Sequence, residues 1–245
     1  MEIGTVSSFV NKAVEIEEIA IIIAAKNLNP GMLSPDLLKV SGVIPQDWEL
    51  ARKPVANPRL VQLSYKNGVN MIAQSGTITF SEGIGKKSLE DLQAPTIARI
   101  YPEKMPNADY LGVSINPKTL IGLSDGEDAA RKYIVENLIA SGPWRDLGQG
   151  QMKANLNFLY QLDGCQLNLT INEAKLQQPD KTPIPALLFS GSFNYGVANA
   201  DQQERIPQIV QRINNWQTEL TSFRNIVNQK FLGQQGSVFP QSMQV

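Results

Sequence analysis

Leu156–Ala174 reads LNFLYQLDGCQLNLTINEA. Its Asp163-Gly164 dipeptide suits a two-residue turn, so the stretch is expected to form a β-hairpin. Leu156, Phe158, Tyr160 and Leu162 alternate along the first arm, and Cys165, Leu167, Leu169 and Ile171 along the second. A two-residue turn sets Leu162 against Cys165, Tyr160 against Leu167, Phe158 against Leu169 and Leu156 against Ile171. All four pairs are apolar and share one face, so turn chemistry and side-chain pattern specify the same register. The other face offers Asn155, Asn157, Gln161, Gln166, Asn168, Thr170 and Asn172.

The pattern continues on both sides of the hairpin. Downstream, Ile184–Val197 alternates Leu187, Phe189, Phe193, Tyr195 and Val197 with Leu188, Ser190, Ser192, Asn194 and Gly196. Next comes an apolar stripe at steps of three and four: Ile206, Ile209, Ile213, Trp216, Leu220, Phe223, Val227 and Phe231. It predicts one helix from about Gln203 to Phe231, roughly 40 Å long at 1.5 Å per residue, enough to lie along the sheet and cover its apolar face. Upstream, Asp109–Ile115 reads as a strand ended by Asn116-Pro117, and Asp125–Ala140 as a helix capped by Ser124 or Asp125 and ended at Gly142.

The first part of the chain has the same order. Residues 5–16 show helical apolar spacing. Ile19–Lys26 (IAIIIAAK) reads as a strand buried on both faces, stopped by Asn29-Pro30-Gly31. Ser34-Pro35 starts a short helix, and Ser41–Pro58 is a long proline-rich connection. Leu60–Phe80 is a three-strand meander. A three-residue loop, Lys66-Asn67-Gly68, pairs Tyr65 with Val69, Leu63 with Met71 and Val61 with Ala73, and the turn Gln74–Thr77 brings Ile78 and Phe80 to the same face. Lys86–Leu92 reads as a short helix halted before Pro95. The expected fold is therefore α+β: two related β-α-β-β-β-α halves, antiparallel sheets with helices on one face, and a long C-terminal helix. The halves are 1–95 and 96–232, followed by a mobile tail over 233–245.

Composition narrows the chemistry. Of 245 residues, 42% are hydrophobic and 18% charged, as in an ordinary globular protein. Lys and Arg number 22 and Asp and Glu 23, so no global charge excess recruits nucleic acid or an anionic membrane. The chain has no histidine, the commonest general base and neutral metal ligand, and a single cysteine, which allows no intrachain disulfide. The opening MEIGTVSSF lacks a secretory pattern, and the longest apolar run, Ile19–Ala25, is far short of the roughly 20 residues that span a membrane. A cytoplasmic protein without membrane insertion is expected, and no cofactor is implied.

Five constellations admit both a functional and a structural reading. Glu15, Glu17 and Glu18 suggest a metal site or, more simply, a solvated helix end. Trp48, Glu49 and Arg52 form a recognition loop or a connection whose Trp48 and Leu50 plug the core edge, with Glu49 and Arg52 spaced to pair if helical. Trp144 and Arg145 lie in the glycine-rich SGPWRDLGQGQ, an anchor for a partner or a plain connection. Cys165 belongs to the apolar row of the hairpin, where a buried, inert thiol is expected. Last, the neutral amides and hydroxyls Asn157, Asn168, Asn172, Ser192 and Asn194 share a face that can hydrogen-bond a partner without desolvating ions.

SGVIPQDWELARKP and KNGVNMIAQSGTITFSEGI, together Ser41–Ile84, resemble a family of uncharacterised cyanobacterial proteins. That family has no established activity, so the resemblance implies a soluble bacterial protein and no catalytic residue. The expected role is non-enzymatic: a protein-interaction, adaptor or assembly component that binds a protein partner or itself as a homo-oligomer. The alternatives are a small-molecule binder or enzyme with a pocket between the halves, near Trp48, Arg52, Trp144 and Arg145, and a nucleic-acid-binding saddle. Against the latter, residues 151–232 carry seven Lys and Arg to six Asp and Glu.

Overall fold

A computed structural model describes residues 15–124, 126–178 and 181–233. The expected helix over 5–16 and the expected tail after Gly233 lie outside the described residues. The chain forms one nine-stranded antiparallel sheet in the order β2-β3-β4-β5-β1-β6-β9-β8-β7. Its strands are β1 (Glu15–Ala25), β2 (Val55–Asn57), β3 (Leu60–Ser64), β4 (Asn70–Gln74), β5 (Thr77–Gly83), β6 (Tyr110–Gly122), β7 (Leu156–Leu162), β8 (Cys165–Gln178) and β9 (Lys181–Gly196). The separate sheets expected for the two halves are thus a single sheet, because β1 pairs with β6 along its whole length. The backbone ladder between them leaves no bare edge between the halves.

Both hairpin registers are as the pattern specifies. Leu162 pairs with Cys165, Tyr160 with Leu167, Phe158 with Leu169 and Leu156 with Ile171. Leu63 pairs with Met71 and Val61 with Ala73, and Tyr65 N–H bonds the Val69 carbonyl at 2.9 Å. Gly68 takes the left-handed bulge position at φ 96°.

Helices cover one face. They are α1 (Pro35–Val40), α2 (Gln93–Lys104), α3 (Ala129–Lys132), α4 (Gln202–Asn214) and α5 (Trp216–Ile226), with wider π-turns continuing α3 over Tyr133–Leu138 and α5 over Val227–Phe231. Ser34 Oγ caps α1 by accepting from Leu37 N–H at 3.1 Å, with Pro35 in the first turn. Helix α2 packs on β5, β1 and α4. Helices α4 and α5 pack on β6, and α3 on β9 and β8. The core is one cluster that includes Ile21, Phe80, Ile97, Ile115, Leu169, Phe189, Phe193 and Phe223.

Four expectations are corrected. The stripe Ile206–Phe231 does face the sheet, but it belongs to two helices with a break at Asn215, where φ is −88° and ψ 7°. The short helix at Lys86–Leu92 is a single 3-10 turn, Leu89–Asp91, and α2 follows at Gln93 with Pro95 inside its first turn. A proline there forfeits no helical bond, because first-turn N–H groups have no partner within the helix. The helix over Asp125–Ala140 is shorter, starting at Ala129, and Ile139 is already extended; Asp125 lies outside the described residues. Finally, Asn116-Pro117 does not end a strand. β6 passes through it to Gly122, and its ladder with β9 skips both residues and resumes at Lys118 in the same register. The N–H that proline lacks is thus absorbed by a local gap.

Candidate functional site

The uncovered face belongs to side chains of opposite parity, and register assembles them into rows. One row crosses the sheet edge to edge: Gln161, Gln166, Asn194, Ser114, Ile22, Thr79, Ile72, Gln62 and Val55. Beside it runs a second row, Leu159, Asn168 and Ser192, continued across the gap in the β6–β9 ladder by Asn116, Ala20, Ser81, Asn70 and Ser64. A third row holds Asn157, Thr170, Ser190, Lys118 and Glu18. A fourth holds Asn172, Leu188, Leu120 and Ile16, apolar beyond its first residue and ending in a half-exposed isoleucine.

The face is concave, as a twisted sheet allows. A basin of about 560 Å³ is lined from seven strands, including Gln62, Ile72, Thr79, Ala20, Asn116, Asn168 and Ser192. Among the described strand positions of this face the charged residues are Glu18 and Lys118, and they neutralise each other at 3.0 Å. The amides form short local bonds. Asn194 Nδ2 donates to the Ser192 carbonyl at 3.0 Å and the Gln166 carbonyl at 3.3 Å. Asn116 Nδ2 donates to the Ser114 carbonyl and Oγ, both at 3.0 Å. Asn168 Oδ1 is buried with no hydrogen-bond donor among the described residues, a state that costs about 1–3 kcal/mol when a polar atom is shielded from water.

Asn157, Asn168, Asn172, Ser192 and Asn194 therefore do share one surface. The aromatic and basic candidates do not join them as a pocket. Trp48 packs edge-on against Tyr65 with ring centres 5.2 Å apart, and Leu50 bridges Tyr65 in the ladder, so this connection plugs the core edge. It is not helical: Glu49 pairs with Lys66 and not with Arg52, while Arg52 Nε donates to Ser64 Oγ at 3.1 Å, at the rim of the open face. Trp144 sits half-exposed on the 3-10 turn Pro143–Asp146. Arg145 donates to the carbonyls of Val135 and Ile139, each at 2.6 Å, closing the end of the segment after α3. Helix α3, which leads into that segment, packs on β9 and β8, five and six strand spacings from β3, or about 24–29 Å at 4.8 Å per spacing.

The acidic run lies in β1, not at a helix end. Strand alternation sends Glu15 and Glu17 to the covered face and Glu18 to the open one. Glu17 takes a two-pronged ion pair from Arg224, and Glu15 accepts from Thr119 Oγ1 at 3.0 Å. Burial, with Glu17 adjacent, pushes the Glu15 carboxyl up to about 7. Cys165 is buried under the helices and its thiol is pushed up, chiefly by that burial. Reasoning from the sequence missed Glu82, which continues the inward parity of Ile78 and Phe80. It is fully buried, its Oε2 accepting from the N–H groups of Gln93 (2.7 Å) and Ala94 (2.9 Å) at the start of α2, and its Oε1 pairing with Lys87.

No helix among the described residues is long and apolar enough to cross a membrane. No model of a known protein family matches the chain, and no curated protein sequence is significantly similar to it.

Proposed function

We propose that this protein is a non-enzymatic interaction, adaptor or assembly component of the cytoplasm, and that the concave open face is where it binds a protein. The observation that carries this reading is the chemistry of that face. Nine strands present amides, hydroxyls and an apolar row, with one self-neutralised ion pair among the described strand positions. Solvated sheet faces ordinarily carry unpaired Lys and Glu, which resist association. A neutral face sheds water at low cost, and Ile16, Leu120 and Leu188 supply apolar area for a partner to cover.

The two β-α-β-β-β-α runs are, in the same proposal, copies of one unit. Reading outward from the centre, the sheet order is β1-β5-β4-β3 on one side, with the three-residue β2 from the Ser41–Pro58 connection added at its edge, and β6-β9-β8-β7 on the other. That order supports a duplication that builds a symmetric face from one half-face.

Affinity capture from the source cell's lysate tests the binding reading. Thr79→Lys with Ser192→Lys places ammonium groups on β5 and β9 without touching the core. The proteins captured by the wild type are expected to be lost, with the melting temperature unchanged. Recovery of the same set by the folded variant would show that the face is merely solvated.

A further inference from the structure

The two edges of the sheet differ. β2 has three residues, and Pro54 and Pro58 adjoin its ends. A short strand bracketed by prolines resists further pairing. β7 has seven residues, with no charge and no proline. On it Leu159 is 63% exposed, Tyr160 38% and Leu162 36%. Leu162 and Cys165 flank the turn and form a bonded pair. The alternation of an antiparallel ladder then turns the N–H and C=O of Asn157, Leu159 and Gln161 outward. No backbone hydrogen bond from another described segment reaches them.

The sequence of this edge is a chemical palindrome, L-N-F-L-Y-Q-L, centred on Leu159. We propose that β7 pairs with β7 of a second copy of this chain, antiparallel about a twofold axis at Leu159, joining two sheets into one. The axis stands perpendicular to the sheet, so both copies keep their helices on the same side. On the covered side Leu156 meets Leu162 of the second copy, and Phe158 meets Tyr160. On the open side Asn157 meets Gln161, and Leu159 meets its own copy. The outward groups close about six hydrogen bonds, all within this register. A slip of one residue sets Leu159 against Tyr160, whose N–H and C=O already bond β8, so the ladder is lost. Because the β2 edges are guarded, the assembly closes at two and does not grow.

This inference rests on the backbone edge and is independent of what the open face binds. Sedimentation velocity between about 1 and 100 µM, a range suited to an interface below the standard size, is expected to show a monomer–dimer equilibrium. Leu159→Lys sets two ammonium groups against each other on the axis and is expected to weaken dimerisation at least about tenfold, with an unchanged melting temperature at concentrations where the wild type is monomeric. Leu159→Cys in a Cys165→Ser background is expected to form a disulfide-linked dimer on mild oxidation, since bonded partners lie about 5.5 Å apart at Cα. Val55→Cys at the other edge, in the same background, is expected to form no disulfide-linked dimer. The Thr79→Lys, Ser192→Lys variant keeps the dimer, which separates this contact from the open face. A wild type that is monomeric at the highest concentration, a dimer that survives Leu159→Lys, or equal cross-linking through Val55→Cys would overturn the proposal. Should Leu159→Lys fail to fold, the cross-linking pair decides alone.

Discussion

Glu82 shows how far a single residue escapes a reading by pattern. Its parity is that of a core position, yet its charge argues for the surface, and the conflict resolves only through α2. The residue preceding that helix, Leu92, makes no side-chain cap, so a carboxylate from β5 does the work across sequence. Glu82→Ala is expected to lower the unfolding free energy by about 3 kcal/mol, the scale of a buried ion pair broken on one side, as a shift in urea midpoint. Glu15 offers a pH-dependent counterpart. Its pKa is raised in the fold to about 7 from the ordinary 4.5, so the folded state holds the proton more tightly than the unfolded chain. The stability this lends is fully present below pH 4.5 and is lost as pH rises through 7. Glu15→Gln keeps an acceptor for Thr119 and cannot ionise. It is expected to match the wild type near pH 4 and to be the more stable protein at pH 8, by thermal melts at both values. Equal melting at pH 8 would place Glu15 in water. Nothing in the sequence separates Glu15 from Glu18, because which face an acid takes in β1 depends on strand parity, and the acidic run itself resembles a helix end.

At the scale of elements, legibility followed locality. The hairpins were readable because turn residues and alternation fix register within about 20 residues of chain. The helices are less so: whether Pro95 ends a helix or opens one depends on Glu82, far from it in sequence, and the apolar stripe runs through the break at Asn215 without marking it. Asn116-Pro117 is a strong local stop signal inside β6, overridden by pairing with β1 on one side and β9 on the other. The face assignment makes a sharp prediction. Leu169 is fully buried opposite Phe158, so Leu169→Ala is expected to cost about 2–5 kcal/mol, measured by urea unfolding. Gly191, beside Leu169, has no room for a methyl group: a Cβ there would sit 2.8 Å from the Phe223 ring. Gly191→Ala is expected to cost about 1–3 kcal/mol by overpacking, and Gly191→Ala with Phe223→Leu to recover part of it. Unchanged midpoints would mean that α5 does not rest on β9.

The whole molecule is where the sequence was least informative, because nothing local says that two halves share one sheet. The open face was visible as a polar parity in the second half alone. Its continuation through β1, β5 and β4 appears only once β1 is placed beside β6. That junction also decides how the protein unfolds. β1 pairs with β6 over its full length, α2 packs against α4, and Glu17 and Glu18 are held by Arg224 and Lys118 from the other half. Removing either half would strip a central strand of one neighbour and bare the core cluster that both share. A boundary near residue 95 therefore divides the chain but not the cooperative unit. Two tryptophans report the halves separately: Trp48 against Tyr65 in the first, and the buried Trp216 in the second. In proteins retaining one of them, with the other tryptophans changed to Phe, urea unfolding followed by fluorescence is expected to give coincident normalised transitions for each reporter, matched by far-ultraviolet circular dichroism of the same protein. A Trp48 transition that precedes the loss of circular dichroism, or a Trp216 transition that trails it, would mean that the halves unfold apart and that the β1–β6 junction is weaker than its continuous pairing implies.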